Sequence, residues 1–206
     1  MATTKIAIAA PVQTGGSLFT PGQFETIGRI AGTGATIEVT PFRQLYVEVP
    51  AESRELVERE LKENGLEVYP SGFAVKSLIA CNFCKGPEEA GLETAQALNR
   101  AIAGLETPAP VRIGYAGCGL GTSEPLLKDI GVIKIRNGFD IYVGGEPKGV
   151  KAAIAKPFLS GVEEARLVPV IRALLDTYRE QAKGRETFGK FVNRIGMEQL
   201  KARILP

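Results

Sequence analysis

Residues 20–49 read T-P-G-Q-F-E-T-I-G-R-I-A-G-T-G-A-T-I-E-V-T-P-F-R-Q-L-Y-V-E-V, and their punctuation orders the first half of the chain. Thr20, Pro21 and Gln23 combine an N-cap hydroxyl, a proline at the first helical position and a glutamine at the third, which is the signature of a capping box. Phe24, Ile27, Ile30 and Ala31 then recur at helical spacing, and Gly32 and Gly34 end the helix. Ala35 to Thr40 and Gln44 to Val49 each alternate as strands, with Pro41-Phe42-Arg43 in the connection.

The pattern extends in both directions. Residues 5 to 12 form an apolar run that reads as a strand. Ser53 to Asn64 carries Leu56, Val57 and Leu61 on one helical face, and Gly65 supplies a left-handed C-terminal cap. Phe73 to Ile79 returns as a final strand leading into Cys81. The order β-α-β-β-α-β is the ferredoxin-like split unit, assigned to residues 1–79. The fold class is therefore α+β, with a second α/β lobe over residues 80–206.

In that second lobe, Glu88 to Ala103 reads as a helix with an apolar stripe through Ala95, Leu98 and Ile102. Val111 to Ala116 reads as a short strand ending at Cys118, followed by a helix capped by Thr122 or Ser123 and closed by Gly131. Asn137-Gly138 between Val132–Ile135 and Phe139–Val143 is a hairpin signal. From Val162 onward the spacing of Leu167, Val170, Ile171 and Leu174 is helical, and Phe188, Phe191, Val192 and Ile195 suit one more short helix.

With 206 residues and 44% hydrophobic content, the chain can bury a sizeable core. A formal net charge of +2 is too mild for nucleic-acid binding by bulk electrostatics, so any anion must be held by local basic residues. No stretch approaches the ~20 apolar residues of a membrane span. Met1 to Ala10 holds one lysine and a short apolar run with no cleavage-type segment after it, which predicts a cytoplasmic protein.

The chemistry-bearing residues are the 3 cysteines, all in glycine-bearing turns: Cys81 and Cys84 in I-A-C-N-F-C-K-G, and Cys118 in Y-A-G-C-G-L-G-T. The histidine count of 0 excludes Ser-His-Asp and Cys-His machinery, and the cysteines alone cannot complete a zinc site of four Cys or His ligands. An iron–sulfur site of unusual ligation, a redox pair or buried thiols remain. Gly117-Cys118-Gly119-Leu120-Gly121 does not match the dinucleotide fingerprint, because Gly121 comes one residue early.

Five stretches together resemble the nitrite and sulfite reductase family, in the right order over nearly the whole chain. They are residues 21–49, V-K-S-L-I-A-C, V-R-I-G-Y-A-G-C with D-I-G after it, F-D-I-Y-V-G-G, and the tail Y-R-E-Q-A-K-G-R-E-T-F-G-K-F-V-N-R-I-G. V-T-P-F-R also looks like the version in precorrin-3B synthases of the same superfamily. The resemblance implies a ferredoxin-like half-domain followed by a lobe binding a 4Fe-4S cluster and siroheme, joined through a shared cysteine. It further implies oxyanion reduction, an electron-donor protein, and a homodimer restoring the pseudo-twofold arrangement of two such units.

The chain departs from that pattern at the ligands. Where the family has C-x5-C, the second position falls at Pro87 counting from Cys81 or at Ala90 counting from Cys84. Where it has C-x3-C, Cys118 matches the first cysteine and Thr122 stands at the bridging one. Cys81, Cys84 and Cys118 are thus the expected metal ligands, with Thr122 beside the cofactor. The family's basic pocket maps onto Arg43, Lys76 and Arg112, expected to bind tetrapyrrole carboxylates and a small anionic substrate and to serve catalysis. The competing expectation is a non-catalytic cluster- or tetrapyrrole-binding module that has lost its axial thiolate.

Overall fold

The computed structural model describes residues 2–150 and 152–205. The first lobe follows the expected order: β1 (Thr3–Ala9), α1 (Pro21–Ala31), β2 (Glu38–Val39), β3 (Gln44–Pro50), α2 (Arg54–Glu63) and β4 (Glu67–Pro70). Its antiparallel sheet runs β2-β3-β1-β4. The capping box forms as read: Thr20 Oγ1 accepts from the Gln23 amide at 3.2 Å, and Gln23 Oε1 accepts from the Thr20 amide at 2.9 Å. The Gln23 side-chain amide also donates to Asn64 O at 3.0 Å, fastening the start of α1 to the end of α2. Both helices cover one sheet face, where Ile6, Ile8, Ile27, Val47 and Leu61 form the core.

The fourth strand is not Phe73 to Ile79 but Glu67–Pro70, which pairs with β1. Ala74 to Ala80 is buried at every position, as suits backbone covered on both faces, and it joins the second lobe. Val75 bridges Val111 in parallel, and β5 (Ile79–Ala80) begins the second sheet. Glu-Val-Tyr-Pro alternates more weakly, as an edge strand can.

The second sheet runs β5-β6-β7-β8-β9, with β6 (Ile113–Ala116), β7 (Ile130–Ile135), β8 (Gly138–Val143) and β9 (Lys156–Val162). β5, β6 and β7 are parallel and the rest antiparallel. The helix expected over residues 88–103 is two, α3 (Pro87–Ala90) and α4 (Leu92–Ile102), separated by Gly91 at φ 71°. The buried Tyr115 hydroxyl reaches the carbonyl oxygens of Ala90 and Gly91 at that break (2.9 and 3.0 Å).

Among the described residues the Cys118 loop leads into β7 through a single 3-10 turn over Pro125–Leu127, not through an α-helix. Ser123 donates to Tyr115 O at 2.7 Å instead of capping a helix, and Glu124 adopts a left-handed φ of 53°. Gly131 lies inside β7, where a Cβ would sit 2.6 Å from Pro125 O, so close packing and not helix termination requires it. The hairpin forms one residue upstream of its signal, with Arg136 (φ 51°) and Asn137 between Ile135 and Gly138. β9 and the last helix, α7 (Met197–Ile204), had no clear periodicity, whereas α5 (Glu164–Gln181) and α6 (Phe188–Ile195) lie where the apolar spacing put them. Among the described residues no helix is long and apolar enough to cross a membrane.

Candidate functional site

Parallel strands place their C-terminal loops side by side, and this brings the cysteine loops together. Cys81 follows β5 and Cys118 follows β6, with Ile79 opposite Gly114 and Ala80 opposite Tyr115. The ladder continues into the loops: the Cys81 amide donates to Tyr115 O at 3.0 Å, and the Gly117 amide donates to Cys81 Sγ at 3.2 Å. Cys81 is buried, Cys118 half-buried and Cys84 exposed. Between the first two cysteines, Phe83 takes a left-handed φ of 54° and buries its ring 6.0 Å from that of Tyr115, anchoring the turn that presents Cys84. Burial, and after it the charge of nearby Cys81, pushes the Tyr115 phenol above its ordinary pKa, so it stays a protonated donor.

Among the described residues, no group of three or more His, Cys, Asp or Glu side chains stands close enough to hold a metal ion as placed. Three soft sulfurs on two adjacent loops, one already accepting an amide hydrogen bond, nevertheless match the donor chemistry of an iron–sulfur cluster. They supply one thiolate fewer than a four-cysteine set. Thr122 is exposed on the Cys118 loop.

The basic residues divide. Arg43 is exposed at the tip of a turn clasped by Thr40, whose hydroxyl donates to Gln44 O at 2.8 Å. Its backbone is left-handed (φ 59°), which costs roughly 1 kcal/mol for a residue with a side chain and is typical of functional turns. Its guanidinium donates to Ala80 O at 2.8 Å, so the first lobe touches the residue before Cys81. Lys76, by contrast, is buried. Its ammonium donates to Ser71 O and Gly72 O (3.0 and 2.9 Å) and sits over the rings of Phe42 and Tyr46, and burial lowers its pKa to about 8. Arg112 is engaged by Asp129 through Nε to Oδ2 (2.7 Å) and NH2 to Oδ1 (3.1 Å), with Glu146 at 3.6 Å.

Sequence reasoning passed over three neighbours. Asp129, in D-I-G, carries no signal that it would meet Arg112. Gln44, next to Arg43, is fully buried, and its amide nitrogen donates to Ser77 Oγ at 3.1 Å while its Oε1 has no partner among the described residues. Lys148, in the loop after β8, places Nζ 5.8 Å from the Phe42 ring. Its one sequence cue was a basic residue in the Gly- and Pro-bearing stretch E-P-K-G.

Residues 74–205 match the family described as the nitrite and sulphite reductase 4Fe-4S domain. Cobalt-factor III methyltransferase of Priestia megaterium is 26% identical over 177 residues, covering 86% of this chain and 33% of the relative. The nitrite reductase large subunit of Klebsiella oxytoca is 30% identical over 160 residues, covering 77% of this chain but 16% of its own. The assimilatory-type sulfite reductase of Nitratidesulfovibrio vulgaris is 25% identical, with 98% of this chain aligned to 94% of that protein. The chain thus spans a minor part of the first two relatives and nearly all of the third. In fold it is similar to Mycobacterium tuberculosis NirA, with TM-score 0.72 and 16% identity over 97% of this chain and 40% of that one. It is also similar to dissimilatory sulfite reductase I, with TM-score 0.74 and 13% identity over 98% of this chain and 69% of that one.

Proposed function

We propose that this chain, which belongs to the nitrite and sulphite reductase 4Fe-4S domain family, is a redox module holding an iron–sulfur cluster on Cys81, Cys84 and Cys118. The observation that carries the reading is the Gly117 amide on Cys81 Sγ, which joins the two cysteine loops at the C-terminal ends of adjacent parallel strands. A bound cluster supplies one-electron transfer, and hydrogen bonds to its sulfurs set its potential. Thr122, water or a partner completes the ligand set. The anion to be reduced, or the carboxylates of siroheme, meet Arg43, an exposed basic residue whose guanidinium donates to Ala80 O, beside Cys81.

The reading includes an electron-donor protein, a cytoplasmic setting and a homodimer that supplies the second copy of the unit. Light scattering on the purified protein reads the last of these.

A second reading is favoured by Thr122, an exposed, hard neutral donor at the position that the resemblance assigns to the bridging thiolate. On it the module binds a cluster or tetrapyrrole without reducing an oxyanion.

The test is anaerobic reconstitution with ferrous iron and sulfide, followed by iron and acid-labile sulfide assays, absorbance and electron paramagnetic resonance. A cluster lost in both Cys81→Ala and Cys118→Ala, each still folded by circular dichroism, supports the proposal. A wild type that takes up neither iron nor sulfide, or variants that keep the full signal, would sink it. Sulfite or nitrite consumption by siroheme-loaded protein with reduced viologen separates the two readings.

A further inference from the structure

Two ammonium groups share one aromatic ring at the junction of the lobes. Lys76 Nζ lies 5.5 Å and Lys148 Nζ 5.8 Å from the centroid of Phe42. The next residue, Arg43, gives its guanidinium only a carbonyl partner, Ala80 O. Among the described residues none of these three cations has a carboxylate within ion-pair distance. Arg112, on the same side of the second lobe as Lys148's loop, is by contrast paired with Asp129 and Glu146. Lys76 is buried on two carbonyls and two rings, but the exposed Lys148 and Arg43 add a field that an anion relieves.

Lys148 is held there by its loop. Glu146 and Ala153 exchange two backbone hydrogen bonds of 2.8 Å, closing the loop at its neck. The Glu146 carboxylate accepts from the Lys148 amide at 3.2 Å and stands 3.6 Å from Arg112. The loop enters through Gly145, where a Cβ would lie 2.4 Å from Lys128 O, so its base is closely packed.

We infer that Lys148 is a further anion-binding residue, forming with Arg43 a basic mouth beside Phe42, over the buried Lys76, that takes the charged oxygens of a small oxyanion or of tetrapyrrole carboxylates. The inference deepens, and rests on, the reading of Arg43 as the residue that meets the anion. It assigns the mouth a side chain from the second lobe.

The experiment titrates anaerobically purified protein with sulfite and, separately, with siroheme, at low and high ionic strength. Lys148→Ala is expected to weaken binding roughly fivefold at low salt, the scale of one exposed charge contact. Lys148→Arg should stay near wild type, and Lys190→Ala, an exposed lysine of α6, should bind as wild type does. A loss with siroheme alone assigns the mouth to tetrapyrrole carboxylates, and a loss with sulfite alone assigns it to small oxyanions. Unchanged affinity of Lys148→Ala for both probes, an equal loss in Lys190→Ala, or no binding of either probe by the wild type overturns the inference. Iron content is read on the same samples. A cluster-free protein showing the Lys148 effect counts against the iron–sulfur reading alone, and a cluster-loaded protein without the effect counts against this inference alone.

Discussion

The backbone amide of Gly117 donates to the sulfur of Cys81 across 3.2 Å, so the residue before Cys118 is tied to the thiol of the neighbouring loop. The approach depends on a missing side chain: a Cβ on Gly117 would sit 2.5 Å from Ala90 Cβ and 2.7 Å from Ala90 O. Gly117→Ala must therefore push the Cys118 loop away from α3, at a cost of about 1–3 kcal/mol for overpacking. Urea denaturation should show that loss, and reconstituted iron content should fall with it. Gly28→Ala, in α1 with open space around it, should be neutral or slightly stabilising in the same assay.

Asp129 and Arg112 make the second prediction. Their side chains are 3% and 11% exposed, and Asp129 Oδ2 also accepts from the Arg112 backbone amide at 2.8 Å. Removing the acid leaves the buried guanidinium with only the more distant Glu146 at 3.6 Å, so Asp129→Ala is expected to destabilise by about 3 kcal/mol. If the cost measured by chemical denaturation stays under about 1 kcal/mol, the pair is not structural and Arg112 is available to a ligand.

The first lobe was legible because its signals are local. A capping box at Thr20, a glycine cap at Gly65 and a strand over Gln44–Val49 each rest on a few residues, and each formed, although Gln44, Leu45, Tyr46 and Val47 are all buried and do not alternate. The misplaced fourth strand shows where such reading ends. Phe73 to Ile79 is more apolar than Glu67–Pro70, but which strand lies beside β1 depends on what covers it, and that is a property of the second lobe. The Cys118 loop failed similarly: Thr122, Ser123 and Pro125 look like a helix start until Tyr115 O claims the Ser123 hydroxyl. At the site, cysteine type and loop position were readable from sequence. The partners of Lys76 and Arg112 were not, because a lysine on two carbonyls and an arginine on an aspartate 17 residues away leave no periodic trace.

Thr122 offers a gain-of-function test. It is exposed on the loop that carries Cys118, at the position that the resemblance assigns to the bridging cysteine. Thr122→Cys adds the thiolate that the donor set lacks, and soft sulfur replaces a hard hydroxyl. The variant should keep more iron and acid-labile sulfide than wild type after timed exposure to air, whereas Thr122→Ser should not differ from wild type. Equal cluster lifetimes in all three proteins would place Thr122 outside the coordination sphere.

Lys76 links stability to pH. Burial lowers its folded-state pKa to about 8 from the ordinary 10.5, which the unfolded chain retains. Between those values the unfolded state binds the extra proton, so raising the pH favours folding. Below about pH 8 the ammonium is charged in both states, and the cost of burying it is fully present. The gain therefore begins near pH 8 and is complete above about 10.5, with a full amount on the order of 3 kcal/mol. Lys76→Met removes the linkage while keeping an unbranched apolar stem over Phe42 and Tyr46. Urea unfolding of both proteins at pH 7 and at pH 10 should show the wild type gaining stability relative to the variant. A wild type that loses ground instead would mean that its carbonyl and aromatic partners hold the ammonium more strongly than burial opposes it.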